Sequence, residues 1–226
     1  MLLPLAKRLI ADYECLCAEA DGLNGLKTGL IRIGTFSSVA THWLPNIIKE
    51  FRKKYPGIEY ELLLGDYREI EKWIEEGRVD CGFLRLPANS EFETAFLEQD
   101  RLMAILPCGH PLEKNNKISV SSLCTEPFIM LGKEGMSDAA EIFEKCGLTP
   151  DIKLTTWDDY AVMSMVESGL GVSILPQLIL KRIPYRIAVK ELETPFYRNI
   201  ALAIKDKKTA SPAVKRFLEF LNFRNA

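Results

Sequence analysis

An apolar strand runs directly into a small polar turn and an amphipathic helix in the segment Leu30-Ile-Arg-Ile-Gly-Thr-Phe-Ser-Ser-Val-Ala. The turn supplies the hydroxyl groups of Thr35, Ser37 and Ser38, beside the backbone N–H groups that begin the helix. Because the start of a helix also carries the positive end of its dipole, such a junction favours a carboxylate or another anion. This junction predicts a strand–helix fold that binds a small ligand rather than one that catalyses a reaction.

The alternation of strands and helices continues along the chain. Asp66 and Glu69 have the spacing of a capping box at the start of one predicted helix, and Ser211-Pro212 begins the last one. Such alternation implies βαβ units around a mainly parallel sheet. We predict strands at residues 30–34, 58–64, 79–86, 102–106, 127–131, 152–154, 172–175 and 198–204, and helices at 39–55, 67–76, 138–146 and 158–168 and from Ser211 onward.

Length and composition describe an ordinary globular protein. A chain of 226 residues favours two compact units over one, and a formal charge of −2 gives no basic face for nucleic acid. The 6 cysteines are irregularly spaced, which does not suit a disulfide scaffold. The start of the chain lacks the basic region of a signal peptide, and no apolar run approaches the roughly 20 residues that cross a bilayer. We therefore expect a reduced, soluble, cytoplasmic protein that makes no membrane contact.

Residues 1–25 form a segment of their own. Leu2, Leu5, Leu9 and Leu16 fall at heptad spacing, and glycines at positions 22 and 25 end the pattern. One interpretation is an amphipathic helix packed on the domain that follows it. The other is a coiled-coil helix that forms a dimer.

Five short motifs, in a fixed order, resemble the regulatory region of LysR-type transcriptional regulators. Each motif is weak by itself, and the ordered set is specific. The motifs lie between Gly29 and Pro176, and the resemblance extends over nearly the whole chain, from Leu2 to about Phe223. The motifs are Gly29-Leu-Ile-Arg-Ile-Gly34; Leu44-Pro with Phe51 and Tyr55-Pro56; Gly77-Arg-Val-Asp-Cys-Gly-Phe83; Pro107 with His110-Pro-Leu112; and Val166-Glu-Ser-Gly-Leu-Gly-Val-Ser-Ile-Leu-Pro176.

The resemblance implies an α/β, two-lobed type II periplasmic-binding-protein-like fold with an N-terminal linker helix. Residues 1–25 would be the linker and dimerisation helix, 26–100 with 205–226 regulatory lobe I, and 101–204 regulatory lobe II. Members of this family bind DNA through a winged helix-turn-helix, which this sequence lacks. It is either a shortened piece of a longer protein or a truncated relative, and the position of its start at the linker helix favours the first.

The resemblance also implies a small-molecule effector, a carboxylate being one class, in the cleft between the lobes. Purely structural alternatives remain for four of the positions. Tyr67 is alternatively a surface aromatic residue. Ser38 is alternatively a helix N-cap, Trp157 a core residue, and Arg85 the partner of a cleft acid such as Asp66 rather than of a ligand. The implied effector-binding residues are Thr35, Ser37, Ser38, Val39, Asp66, Tyr67, Leu84, Arg85, Met130, Leu131, Thr155, Thr156 and Trp157.

Other functions find less support in the sequence. Peroxide-sensing relatives carry a reactive cysteine where this chain has Met136 or Ser137, so redox sensing is not expected. His42 and His110 belong to no metal-ligand spacing, and no nucleotide or nucleophile motif occurs, so we expect no enzyme, metal or cofactor. The main hypothesis is the effector-sensing and dimerisation region of a LysR-type regulator, acting as a homodimer or homotetramer. The alternatives are a solute-binding component of a transporter and an enzyme on the same fold.

Overall fold

The computed structural model describes Tyr13, Leu16 and residues 26–132 and 137–225. Contacts divide the chain into two compact units, one running up to Glu98 and resuming at Asn199, the other comprising Gln99–Arg198. The limits of the two regulatory lobes that the resemblance implies stay a prediction. The predicted linker helix lies outside the described residues except at Tyr13 and Leu16, which are helical and exposed.

Ten strands and seven α-helices are described, and they are labelled here in chain order. Short 3₁₀ helices occur as well. The strands are β1 (Gly29–Thr35), β2 (Ile58–Leu64), β3 (Cys81–Leu86), β4 (Glu93–Pro107), β5 (Lys117–Ile118), β6 (Pro127–Leu131), β7 (Asp151–Thr156), β8 (Ser173–Pro176), β9 (Ile187–Leu192) and β10 (Tyr197–Ile204). The helices are α1 (Ser37–His42), α2 (Leu44–Lys54), α3 (Tyr67–Glu75), α4 (Val120–Leu123), α5 (Asp138–Cys146), α6 (Asp159–Glu167) and α7 (Pro212–Leu218).

The first unit is built on three parallel strands. Strand β1 pairs in parallel with β2 on one side and with β3 on the other. Strand β10 then pairs antiparallel with β3. In the second unit, β4 pairs antiparallel with β8 and β9, while β6 and β7 form a separate parallel pair.

The prediction of a mainly parallel sheet is therefore correct only for part of the fold. A helical crossover returns the chain in the same direction, which explains β1–β3 and the β6–β7 pair. Strands β4 and β10 carry the chain from one unit into the other, and their antiparallel partners are not joined to them by a single such crossover. The sequence patterns also did not predict β5, β9, α4 or the first half of β4.

The single helix predicted over residues 39–55 is wrong, because the structure has two helices that meet at Trp43. Pro45 lies in the first turn of α2. A proline there lacks the N–H group that a continuous helix would bond to the fourth preceding carbonyl, and its ring clashes with that carbonyl. The same proline is well tolerated where a new helix begins.

The core of the first unit contains an aromatic cluster around Phe51. The Phe51 ring is completely buried and lies 5.6 Å from Phe217 and 5.0 Å from Phe220, measured between ring centroids. Tyr60 joins the cluster from β2, and burial raises the pKa of its hydroxyl to about 12, opposed by the charge of Arg52. The cluster thus ties α2 and the last helix of the chain to the parallel sheet.

Candidate functional site

The carboxyl ends of β1 and β2 lie side by side at one edge of the first unit. Thr35 at the end of β1 pairs in register with Leu64 at the end of β2. One residue later, the backbone N–H of Gly65 donates to the carbonyl of Thr35 at 3.0 Å. This pairing brings together the strand–helix junctions of two predicted site segments, as expected for parallel strands.

The β1–α1 junction differs in detail from its prediction. Phe36, not Ser38, occupies the N-cap position, with an extended backbone and no side-chain cap. Ser38 is the second residue of the helix, so its alternative interpretation as the N-cap is wrong. The side chains of Thr35, Ser38 and Val39 are buried, and Ser37 is half-buried.

The β2–α3 junction contains the predicted capping box, which is confirmed. The carboxylate of Asp66 accepts a hydrogen bond from the Glu69 N–H at 2.8 Å, and the Glu69 carboxylate accepts one from the Asp66 N–H at 2.9 Å. The cap gives the Asp66 charge a structural role at the helix N-terminus, where a negative charge is favourable. Its presence in the predicted site therefore does not by itself argue against an anionic ligand.

An aromatic contact joins the two junctions, and an arginine lies over it. The rings of Phe36 and Tyr67 meet edge to face with centroids 5.2 Å apart. The guanidinium carbon of Arg85 is 5.7 Å from the centroid of the Tyr67 ring, a cation–π distance. Leu84 precedes Arg85 on β3 and is completely buried, as is Phe83 on the opposite face of the strand.

Phe36 is the residue of this contact that the sequence analysis did not select. It lies between Thr35 and Ser37, two predicted site residues. Its signal was its position at the end of a buried strand, directly before a helix. In the structure its ring holds Tyr67, which in turn lies beneath Arg85.

The second unit has its own polar edge at the carboxyl ends of β6 and β7. Met130 pairs with Thr155, and Leu131 with Thr156. The N–H of Gly132 then donates to the Thr156 carbonyl at 2.9 Å. The predicted second-unit residues therefore lie on two adjacent strand ends. Thr155 is exposed and Met130 is largely buried.

Trp157 is 72% exposed, so its alternative interpretation as a core residue is wrong. It follows the last residue of β7 and precedes Asp158, the N-cap of α6. The Asp158 carboxylate accepts from the Tyr160 N–H at 2.9 Å and so caps the start of α6. A side chain in this connecting position lies on neither the buried face of the strand nor that of the helix, and the Trp157 ring is left facing solvent.

The described part of the chain offers few groups suited to a redox or metal site. The position of Met136 lies outside the described residues, and the Ser137 hydroxyl caps α5 by accepting from the Ala140 N–H at 2.9 Å. Burial raises the pKa of the Cys124 thiol, and the nearby Cys146 thiolate adds to that rise, which lowers its reactivity. Residues 26–132 and 137–225 contain no cluster of three or more potential metal ligands. Nor does any helix among them have the length and apolar character needed to cross a bilayer.

Comparison with known proteins agrees with this architecture. The LysR substrate binding domain family matches residues 24–224. The chain is 32% identical to the HTH-type transcriptional regulator YvbU of Bacillus subtilis, over 94% of this chain and 73% of that protein.

Two solved structures have the same fold. HinK, a LysR family transcriptional regulator from Pseudomonas aeruginosa, superposes with a TM-score of 0.76 at 28% identity, over 95% of this chain and 77% of HinK. The regulatory domain of Synechocystis CcmR, solved in complex with 2-PG, superposes with a TM-score of 0.78 at 22% identity. The match covers 86% of this chain and 96% of the CcmR domain. With its α/β type II periplasmic-binding-like fold and a family match over nearly its whole length, the chain belongs to the LysR family and carries that family's substrate-binding domain.

Proposed function

We propose that this chain is the effector-sensing and dimerisation region of a LysR-type transcriptional regulator. The observation that carries the proposal is the edge of the first unit, where Arg85 lies over Tyr67 beside the β1–α1 junction. A small molecule held there, and by the β6–β7 edge of the second unit, would control the arrangement of a DNA-bound oligomer. The placement of one effector between lobes, implied by the family resemblance, is part of this proposal.

The side chains at the first edge favour an effector with a carboxylate group. Arg85 can bind a carboxylate through two parallel N–H groups, a geometry that few other side chains offer. The hydroxyls of Ser37 and Ser38 and the N–H groups that begin α1 add neutral donors beside it. The CcmR regulatory domain, bound to 2-PG, supports the expectation that this fold holds a small molecule.

Replacing Arg85 by alanine is expected to weaken the binding of a carboxylate effector by about 10-fold or more, since a hydrogen bond to a charged group contributes about 1.5–3 kcal/mol. A thermal-shift screen with benzoate, glutamate and 2-PG identifies the ligand, and calorimetry then measures Kd. Arg78→Ala is the matched control, because Arg78 also lies over an aromatic ring, that of Trp73, at 5.3 Å. Equal losses of affinity in the two variants, or no binding across the panel, would contradict the proposed effector site.

Exposed apolar side chains on two outer strands support the dimerisation part of the proposal. Leu64 on β2 is 60% exposed and Ile152 on β7 is 47% exposed, and each strand is the last of its sheet. Next to β2, helix α2 carries Lys49, Arg52 and Lys53 along an open groove of about 460 Å³. Unpaired strand edges with apolar side chains are surfaces that proteins usually cover.

Charge suggests how two copies would meet. The excess of basic side chains on α2 complements the acidic Glu141 and Glu144 of α5. Within their own helices, Lys53 pairs with Glu50 and Lys145 with Glu141. If α2 and β2 of one copy packed on α5 and β7 of a second copy, a twofold axis would repeat the same contact. We propose this arrangement for the homodimer, and a homotetramer would need further contacts.

Replacing Leu64 by glutamate is expected to shift the protein from dimer to monomer, because it places a charge in an apolar contact. Sedimentation equilibrium measures the dissociation constant, which we expect to rise by about 100-fold. Leu170→Glu serves as the control, since Leu170 is 52% exposed in a loop of the second unit. An unchanged dimer in Leu64→Glu, or a monomeric parent protein, would contradict this surface.

The proposal includes no catalysis and places the protein in the cytoplasm, where a regulator of transcription meets DNA. The curated relative YvbU is named a transcriptional regulator, which supports this assignment. DNA would be contacted only through a winged helix-turn-helix outside this sequence. Chemical conversion of a bound ligand would contradict the proposal.

A further inference from the structure

A buried ion network joins the two strands that carry the chain between the units. Arg198 on β10 donates from Nε and Nη2 to Oδ2 of Asp100 on β4, at 3.0 and 2.7 Å. The other oxygen of Asp100 accepts from the Leu178 N–H at 2.9 Å. Arg198 and Asp100 are each 5% exposed. The pair therefore fixes β4 and β10 to each other and to the turn after β8.

Both residues lie at the boundaries of the second unit. Arg198 is the last residue of that unit, and Asp100 is its second residue, after Gln99. Both side chains therefore belong to the places where the chain crosses between units. Separating the members of a buried ion pair leaves an uncompensated charge, which is strongly destabilising.

A second carboxylate shares the same guanidinium. Asp138 Oδ2 lies 3.8 Å from Arg198 Nη1, and its side chain is 13% exposed. Burial raises the pKa of Asp100, Arg198 opposes that rise and the charge of Asp138 adds to it. One buried cation thus faces two acids, Asp100 at 2.7 Å and Asp138 at 3.8 Å.

Asp138 also lies next to the second-unit edge of the proposed effector site. It is the first residue of α5, and the preceding Ser137 contacts Met130 of β6 through a hydroxyl–sulfur distance of 3.1 Å. Met130 is one of the predicted effector-binding residues. A ligand that shifts this edge would shift the start of α5 and with it Asp138.

We infer that Asp138 and Arg198 couple the second-unit edge of the effector site to the crossing strands β4 and β10. This coupling rests on the proposed function, which identifies the effector site. It adds how the binding of an effector would be transmitted to the rest of the chain. In the structure, Asp138 and Asp100 share Arg198. A ligand that moves the start of α5 changes this sharing and releases or tightens the alignment of the two strands. The coupling requires that the ligand favour one of the two arrangements.

Hydrogen–deuterium exchange of the whole chain, resolved by mass spectrometry, tests the coupling without a ligand. Asp138→Asn removes the second charge and keeps the size of the side chain. We expect exchange of the amides around Asp100 and Arg198 to change by about threefold or more, because local opening depends on such contacts. Asp159→Asn is the matched control, since Asp159 is the first residue of α6 and contributes the same favourable charge at a helix start.

The inference is overturned if Asp138→Asn alters exchange only within α5, or if Asp159→Asn changes the crossing strands equally. A second arm adds the probes benzoate, glutamate and 2-PG. A probe that binds should change exchange at β4 and β10 in the parent protein, and should change it less in Asp138→Asn. Binding that leaves β4 and β10 unaltered in the parent also overturns the inference. If no probe binds, the proposed effector function fails, and the unliganded comparison still decides whether the coupling exists.

Discussion

Replacing Phe51 by alanine is expected to lower the free energy of unfolding by about 3–5 kcal/mol, the largest effect we expect from removing a side chain of the first unit's core. Phe51 has no exposed surface, and its ring contacts aromatic rings from β2 and from the C-terminal part of the chain. Alanine would remove these contacts and leave a cavity that the surrounding strands cannot fill by collapsing. Urea unfolding followed by circular dichroism measures the difference.

Phe223→Ala provides the control for that measurement. Phe223 is 41% exposed and contacts the edge of the same cluster through Phe220, 5.5 Å away. Its loss should cost no more than about 1 kcal/mol, because much of its surface is already in water. Similar costs for the two variants would show that the cluster is not the centre of the core.

The second large effect is expected for Arg198→Met. Removing the guanidinium leaves the carboxylates of Asp100 and Asp138 buried without their cation, which typically costs about 3–5 kcal/mol. Arg216→Met is the control, because Arg216 pairs with Glu219 where both side chains are more than half exposed, and such pairs contribute about 0–1 kcal/mol. Denaturant unfolding compares the two variants.

The double variant Asp100→Leu/Arg198→Met separates the cost of an orphaned charge from the loss of the pair. Removing both members eliminates the uncompensated charge of Asp100, so the double variant should be more stable than Arg198→Met alone. A double variant that loses the sum of the two single costs would contradict this account. So would an Arg198→Met variant that unfolds as late as Arg216→Met.

Local signals in the sequence predicted many elements and helix starts accurately. The strand over residues 58–64 and the helix over 138–146 have the predicted bounds, since alternation and helical periodicity depend on neighbouring residues. The Asp66–Glu69 capping box was predicted for the same reason, because a cap is complete within four residues of chain. The break between α1 and α2 at Trp43 was not predicted, because the apolar pattern continues across it. Pro45 was the local signal for this break.

The predicted strand–helix junctions indicated which segments hold the candidate site residues. They did not indicate which of these side chains contact one another. The predicted elements placed Thr35 and Asp66 just after two strands and Arg85 near the end of a third. The sequence did not indicate that Phe36 would lie against Tyr67 or that Arg85 would lie over the Tyr67 ring. Those contacts depend on strand register and side-chain direction, which residues far apart in the chain determine together.

By itself, the sequence determined the family, the α/β class and the positions of the strand–helix junctions, because each depends on short-range patterns and their order. Only the tertiary structure decided that β4 and β10 run antiparallel to their neighbours, that Trp157 faces solvent, and that Arg198 is shared by Asp100 and Asp138. The physical reason is the same in each case. Burial and charge pairing are properties of groups brought together from distant parts of the chain, and no local pattern records which groups will meet.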